Sequence, residues 1–152
     1  MKKISSIIGY TLFFNFILLI DMLTKQWALL TAHKTLVLNR FFSLELLVNR
    51  GISWGIFHHA DQPFFIALSV AISLLVVLLI AYTVSRFMKG FSIYAELLVI
   101  AGACGNLIDR AMHKGVIDFV VMHLGPLTTP VFNVADVAII IGVICMFALA
   151  YE

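Results

Sequence analysis

The sequence predicts an all-α membrane protein: four transmembrane helices with a small extracytoplasmic β-sheet and a surface loop or short helix. Three observations carry this. The 152 residues are 62% hydrophobic and only 12% charged, against roughly 45–50% and 25% in soluble domains. Four apolar stretches approach the length of about 20 residues that crosses a hydrocarbon core. Short β-rich pieces lie between the first two stretches. A chain of this size is expected to form a single domain, residues 1–152.

The first span is expected at about residues 4–23. Met1-Lys2-Lys3 and an apolar run resemble a signal peptide, but no small-residue cleavage site follows. The run ends instead in Asp21-Met22-Leu23-Thr24-Lys25, so it reads as an uncleaved first helix. The long connection after it holds Thr35-Leu36-Val37-Leu38 and Phe42-Ser43-Leu44-Glu45-Leu46-Leu47-Val48, ending at the turn signal Asn49-Arg50-Gly51. These predict a small sheet on the membrane surface. The second span, about 64–84, has no charge, and a tight turn at 85–90 with Arg86 and Lys89 leads to the third, about 91–108. The last connection, Asp109 to Pro130, carries His113, Lys114, Gly115, His123, Gly125 and two prolines. The fourth span is expected at about 131–151, interrupted by Asp136. Helices are the natural spanning element because lipid offers no partner to a backbone N–H or C=O.

Four spans put both termini on one side. Lys2, Lys3, Arg86 and Lys89 then share the cytoplasmic face, as positive-inside sorting favours. Lys25, Lys34, Arg40, Arg50, Arg110 and Lys114 fall on the other face, spread over many more residues. In this orientation Asp21, Asp109, Asp118 and Asp136 gather near the outer side, and Glu96 lies near the inner end of the third span.

Those carboxylates point to function. A charged group at the bilayer centre costs roughly 2.5–3.5 kcal/mol on insertion scales, so such groups face each other or a wet cavity. Within Gly105-Asn106-Leu107-Ile108-Asp109-Arg110, residues Asn106, Asp109 and Arg110 share a helical face. Phe132-Asn133-Val134-Ala135-Asp136 again places Asn and Asp at i, i+3, and Val116-Ile117-Asp118-Phe119 sets a carboxylate among bulky apolar groups. Two carboxyls in contact cannot both ionise comfortably and share a proton, which provides one base for water and one acid for a carbonyl oxygen. Asparagines orient such groups without adding charge. Arg110 is expected to hold Asp109 in a charge-assisted pair, which leaves Asp118 and Asp136 as the working pair. Asp21 with Lys25 reads equally as an i, i+4 salt bridge closing a helix or as part of the substrate side.

Five segments together resemble the lipoprotein signal peptidases (signal peptidase II), a bacterial aspartic peptidase family. They are Asp21-Met22-Leu23-Thr24-Lys25, Asn49-Arg50-Gly51-Ile52-Ser53-Trp54-Gly55, Gly105-Asn106-Leu107-Ile108-Asp109-Arg110, Val116-Ile117-Asp118-Phe119 and Phe132-Asn133-Val134-Ala135-Asp136, in the family's order and spacing. The resemblance covers essentially the whole chain. It implies that Asp118 and Asp136 are catalytic. It places Asn106, Asp109, Arg110 and Asn133 around the active site, and Asp21, Lys25, Asn49 and Gly51 at further motif positions. The implied substrate is a prolipoprotein already carrying diacylglyceryl on a cysteine, cut just before that cysteine in the bacterial inner membrane by a monomer. Membrane lipids are the surroundings, and no cofactor or metal is implied. Ser53, Trp54 and Cys104 stand where the family usually has Ala, Phe and Leu.

Other features read as structural. Cys104 and Cys145 have no ligand-type spacing and read as small apolar residues. His58, His59, His113 and His123 read as solvated loop residues, and Glu96 as an interfacial group. A net charge of +2 with no basic run argues against a nucleic-acid partner. The competing reading is a small proton or cation carrier using the same carboxylates. The charges do not form a chain across the membrane, and no inverted repeat is visible.

Overall fold

The computed structural model describes residues 2–32, 34–51 and 61–149. Ser53, Trp54, His58 and His59 lie outside this set. The described chain is mostly helical, with four helices and a four-stranded antiparallel sheet.

Helix α1, Lys2–Thr31, runs eight residues past the expected end at 23. The cause is a buried stripe at helical spacing: Asp21, Lys25, Ala28 and Ala32 turn one face inward and continue the helix beyond its lipid-like part. Hydropathy alone ends the span at the first charges. Helix α2, Gln62–Met88, starts where the Asp61 carboxylate accepts the Phe64 N–H at 3.0 Å, with a proline in the first turn. It ends at Lys89 and Gly90, whose φ of +87° lets the chain reverse. Helix α3, Tyr94–His113, and the apolar 16-residue helix α4, Val134–Leu149, complete the set.

Helices α1 and α2 are long and apolar enough to cross a membrane; α4 is apolar but shorter. Leu74, Leu75, Val77 and Leu78 on α2 are exposed. An unbroken apolar surface of this kind is a liability in water and ordinary in lipid.

Ring contacts fix the helix directions. Tyr10 of α1 stacks edgewise on Phe87 at the end of α2 and on Tyr94 at the start of α3, with centroids 6.0 and 4.8 Å away. The buried Glu96 carboxylate meets Arg86 at 2.7 Å at the same end. Thus α1 and α3 run parallel, and α2 opposes them. Helix α4 opposes α3 through close glycine contacts. A Cβ on Gly142 would lie 2.7 Å from the Ala95 carbonyl oxygen and 2.6 Å from Val99 Cγ2; one on Gly102 would lie 2.9 Å from Ile139 Cγ1. Small residues let helix backbones approach where lipid supplies no hydrophobic drive. Gly102→Ala and Gly142→Ala should therefore each cost about 1–3 kcal/mol by overpacking, despite alanine's better helix propensity. Thermal unfolding in detergent checks this, and a raised midpoint would contradict it.

The sheet has the order β1-β2-β3-β4, with β1 Leu36–Val37, β2 Phe42–Asn49, β3 Val116–Leu124 and β4 Leu127–Thr128. The first two strands fall where the β-rich pieces predict. The Asn39 side chain starts β2 by accepting the N–H groups of Phe41 and Phe42. Strands β3 and β4 extend the sheet beyond the expected strands before Asn49: the connection before Pro130 contains a hairpin turning at Gly125, whose φ is +64°. Among the described residues no short surface helix occurs. Val116 to Phe119 are all buried, so β3 is covered on both faces at its start and lacks the alternation that marks a half-exposed strand. Strand β2 pairs with β3 from Phe42↔Met122 to Asn49↔Val116, with a bulge between Leu44 and Leu47. Beyond the bulge Asp118 lies opposite Leu47, and Asn49 ends β2 beside the start of β3.

Candidate active site

The sheet, the end of α1, the end of α3 and the start of α4 meet at one end of the helices. There Asn49, Asn106, Arg110, Asp118 and Asp136 line a cleft of about 150 Å³, with Ile72, Leu107 and Ile139 on its apolar side. The aliphatic lining residues carry no sequence signal that separates them from ordinary core.

Asn133 and Asp136 form a reciprocal cap at the start of α4. Asn133 Oδ1 accepts the Asp136 N–H at 2.9 Å, and Asp136 Oδ2 accepts the Asn133 N–H at 3.2 Å. With its oxygen committed, the Asn133 amide nitrogen donates to Asp118 Oδ1 at 2.7 Å. Asn49 follows the same logic. Its Oδ1 accepts the Gly51 N–H at 2.9 Å, which aims its nitrogen at Asp118 Oδ2, 3.0 Å away. Asp118 therefore holds an amide donor on each oxygen. Asp136 Oδ1 accepts from Asn106 Nδ2 at 3.0 Å. One cleft thus contains two carboxyls, each braced from outside by backbone or asparagine donors.

Asp118 is 2% exposed. Burial, then the Asp136 charge, push its carboxyl up to about 7, against the opposing pull of the Asn49 and Asn133 amides and Lys25. Such a group holds a proton near neutral pH.

Behind the cleft stands Lys25, 3% exposed. Its ammonium donates to Asp21 Oδ2 at 2.7 Å, Asp109 Oδ2 at 2.8 Å and Asn106 Oδ1 at 2.9 Å, using all three of its protons. Asp21 Oδ1 accepts the Ala135 N–H at 2.9 Å and so ties α1 to the positive end of α4. Gly105 makes room for this: a Cβ there would collide with the Asp21 carboxylate. Of the two readings of the Asp21–Lys25 pair, the internal salt bridge matches its burial, but the bridge is a three-element junction and not an interfacial helix end.

The expected Asp109–Arg110 pair does not form. Asp109 instead accepts from Lys25 and from the Ile117 N–H at 3.1 Å, which fixes the start of β3. Arg110 donates to the carbonyl oxygens of Arg50 and Gly51 and lies 5.4 Å from the Phe65 ring centroid. Neighbours in sequence on a helix point about 100° apart, and the two side chains serve different elements. Gly51 enters through its backbone alone. Outside the cleft, His123 is not a free loop residue: its Nε2 lies 2.8 Å from Ser43 Oγ across the sheet.

Residues 13–151 match the family described as Signal peptidase (SPase) II. Curated relatives described as lipoprotein signal peptidase include that of Thermodesulfovibrio yellowstonii, 40% identical over 130 residues, covering 84% of each chain. That of Clostridium acetobutylicum is 36% identical over 131 residues, covering 84% of this chain and 83% of its own. That of Anaplasma marginale is 33% identical over 150 residues, covering 97% and 85%. Two solved structures described as a bacterial membrane enzyme obtained by the in meso method, at 2.3 and 1.9 Å resolution, superpose with TM-scores of 0.72 and 0.73 at 27% and 25% identity. They cover 94% and 95% of this chain, and it covers 88% and 93% of theirs. With a match across nearly its full length and relatives at this identity, the chain belongs to the signal peptidase II family.

Proposed function

We propose that this protein is a membrane aspartic endopeptidase that removes the signal peptide from diacylglyceryl-modified prolipoproteins, cutting before the lipidated cysteine, with Asp118 and Asp136 as its catalytic pair. The observation that carries the reading is the cleft lined by both carboxyls, Asp118 buried and Asp136 half-buried, each already holding donors on both oxygens. One carboxylate takes a proton from water as the water oxygen bonds to the scissile carbonyl carbon. The other carboxyl gives its proton to the carbonyl oxygen. Collapse of the diol breaks the C–N bond. The amine leaves with a proton from the first group, and the second recovers its own.

The reading includes four membrane spans, one domain, a monomer and both termini in the cytoplasm. Arg86 and Lys89 sit at the helix end remote from the cleft, which supports an active site near the outer face. A lipid-anchored substrate diffuses in the bilayer plane and meets such a site without leaving the membrane. The carrier reading gains nothing from the geometry, because Asp21, Asp109, Asp118 and Asp136 gather at one end of the helices.

The test is purified protein in detergent with a precursor that carries, or lacks, the diacylglyceryl group. Cleavage of the modified form alone, giving a new N-terminal lipidated cysteine, is the expected result. Cleavage at another bond, or of both forms alike, would refute the reading.

A pH dependence follows. Activity requires a single proton on the pair and is bell-shaped, with its alkaline limb near pH 7 as the last proton leaves. Stability carries the same signature. The folded carboxyl of Asp118 holds its proton up to about 7, against 3.8 ordinarily. Its contribution is therefore complete below pH 3.8 and lost as pH rises to about 7. Asp118→Asn lacks that loss. Activity that stays flat from about pH 6 to 9 would remove the shared proton.

A further inference from the structure

The two carboxyls of the cleft are held differently. Lys25 has donors only, so the Asn106 atom 2.9 Å from its ammonium is the amide oxygen. Asn133 Nδ2 donates to the same oxygen at 3.2 Å. The Asn106 nitrogen is thereby locked toward Asp136 Oδ1, and the cation polarises the amide that donates. The other Asp136 oxygen accepts the main-chain N–H of Asn133, just before α4, and Asp136 itself lies in the first turn of that helix, where the helix field favours an anion. Asp118 sits on a strand, and its two donors are side-chain amides whose oxygens accept the neutral backbone N–H groups of Gly51 and Asp136.

We propose that Asn106, clamped by Lys25, is the positioning residue that keeps the negative charge of the pair on Asp136 and leaves the shared proton on Asp118. The inference rests on the peptidase reading and assigns its roles. Asp136 accepts the proton of the attacking water, and Asp118 protonates the carbonyl oxygen. The charged groups around the pair, among the described residues, are few. Helix α1 brings Asp21 and Lys25, which bond each other, and α3 brings Asp109, also on Lys25, and Arg110. Strand β2 offers the cleft only the neutral Asn49, and α2 only Ile72. Lys25 also acts on Asp118 from a distance, and Arg110 lies on the Asp118 side with its guanidinium donating to the Arg50 and Gly51 carbonyls.

The experiment reads ionisation without turnover. Phenyl glycidyl ether is attacked by a carboxylate and not by a carboxylic acid. The carboxylate oxygen bonds to the terminal epoxide carbon, the C–O bond opens, and the alkoxide takes the neighbouring carboxyl's proton. Peptide mass spectrometry of the full-length protein in detergent then locates the ester. The wild type is expected to carry it on Asp136. Asn106→Ala removes the amide while leaving Lys25 on Asp21 and Asp109. Asn106→Asp still accepts from Lys25 but cannot donate, and it covers the case in which the alanine variant does not fold. In either variant the Asp136-to-Asp118 label ratio should fall roughly tenfold, as loss of a hydrogen bond to a charged group implies. The acid limb of the kcat/KM profile should rise by about one pH unit. A wild-type ester on Asp118, or a ratio and an acid limb unmoved by either variant, overturns the assignment. The position of the label and its ratio need no turnover, so this inference and the peptidase reading can fail separately.

Discussion

Asp118→Asn and Asp136→Asn are each expected to lower prolipoprotein processing by about 10³-fold or more while the protein stays folded in the membrane. The magnitude is that of losing a positioned acid or base, about 10² to 10⁴, and here either change removes the shared proton on which both roles depend. Asparagine keeps the size of aspartate and part of its hydrogen bonding. Asp118 would offer Asn49 and Asn133 one acceptor in place of two. That mismatch costs about 1–3 kcal/mol, opposed near neutral pH by the removal of a carboxyl that burial and Asp136 make costly to ionise. The measurement is accumulation of lipid-modified precursor in cells lacking the wild-type activity, together with the amount of folded variant in the membrane. Normal processing by either variant would take that residue out of the pair. Loss of processing only in step with loss of folded protein would make the effect structural.

Much of this site was legible in the sequence because its groups are chemically out of place. A carboxylate in an apolar run announces itself, and the two Asn-x-x-Asp spacings place partners on one helical face. At residues 133–136 the spacing has a further meaning that shows only in three dimensions: it is a helix cap, and the cap frees the asparagine nitrogen to reach Asp118. Partner choice was less legible. Asp109 and Arg110 are adjacent in sequence, yet Asp109 reaches Lys25, distant in sequence, and Arg110 reaches the backbone after Asn49. Strand β3 is not legible because it is buried on both faces at its start, so a half-exposed alternation is absent where Asp118 lies. The end of α1 is not legible from hydropathy, which treats Asp21 and Lys25 as water-seeking. Paired with each other and with Asp109, they behave as core.

Lys25→Met is expected to be the most damaging single change outside the cleft, costing about 3–5 kcal/mol. The side chain is 3% exposed, and its ammonium satisfies two buried carboxylates and one amide oxygen. Replacing it leaves Asp21 and Asp109 facing each other with the intervening cation gone. Their backbone donors, Ala135 and Ile117, remain, but two negative charges stay uncompensated in a medium that screens them poorly. At about 2–4 °C per kcal/mol for a chain of this size, the unfolding midpoint in detergent should fall by roughly 10 °C. The neutral triple variant Asp21→Asn, Lys25→Met, Asp109→Asn should recover more than half of that loss. It removes the charges together, and a buried ion cluster contributes little net stability over an apolar or amide replacement. It also leaves Asn106 without its cation, so recovered stability should not bring recovered activity. That separation decides between two descriptions of Lys25. If the triple variant is both stable and active, the lysine serves only to neutralise its neighbours. If it is stable and slow, the same ammonium that holds α1, α3 and β3 together also governs the charge on the catalytic pair through one amide.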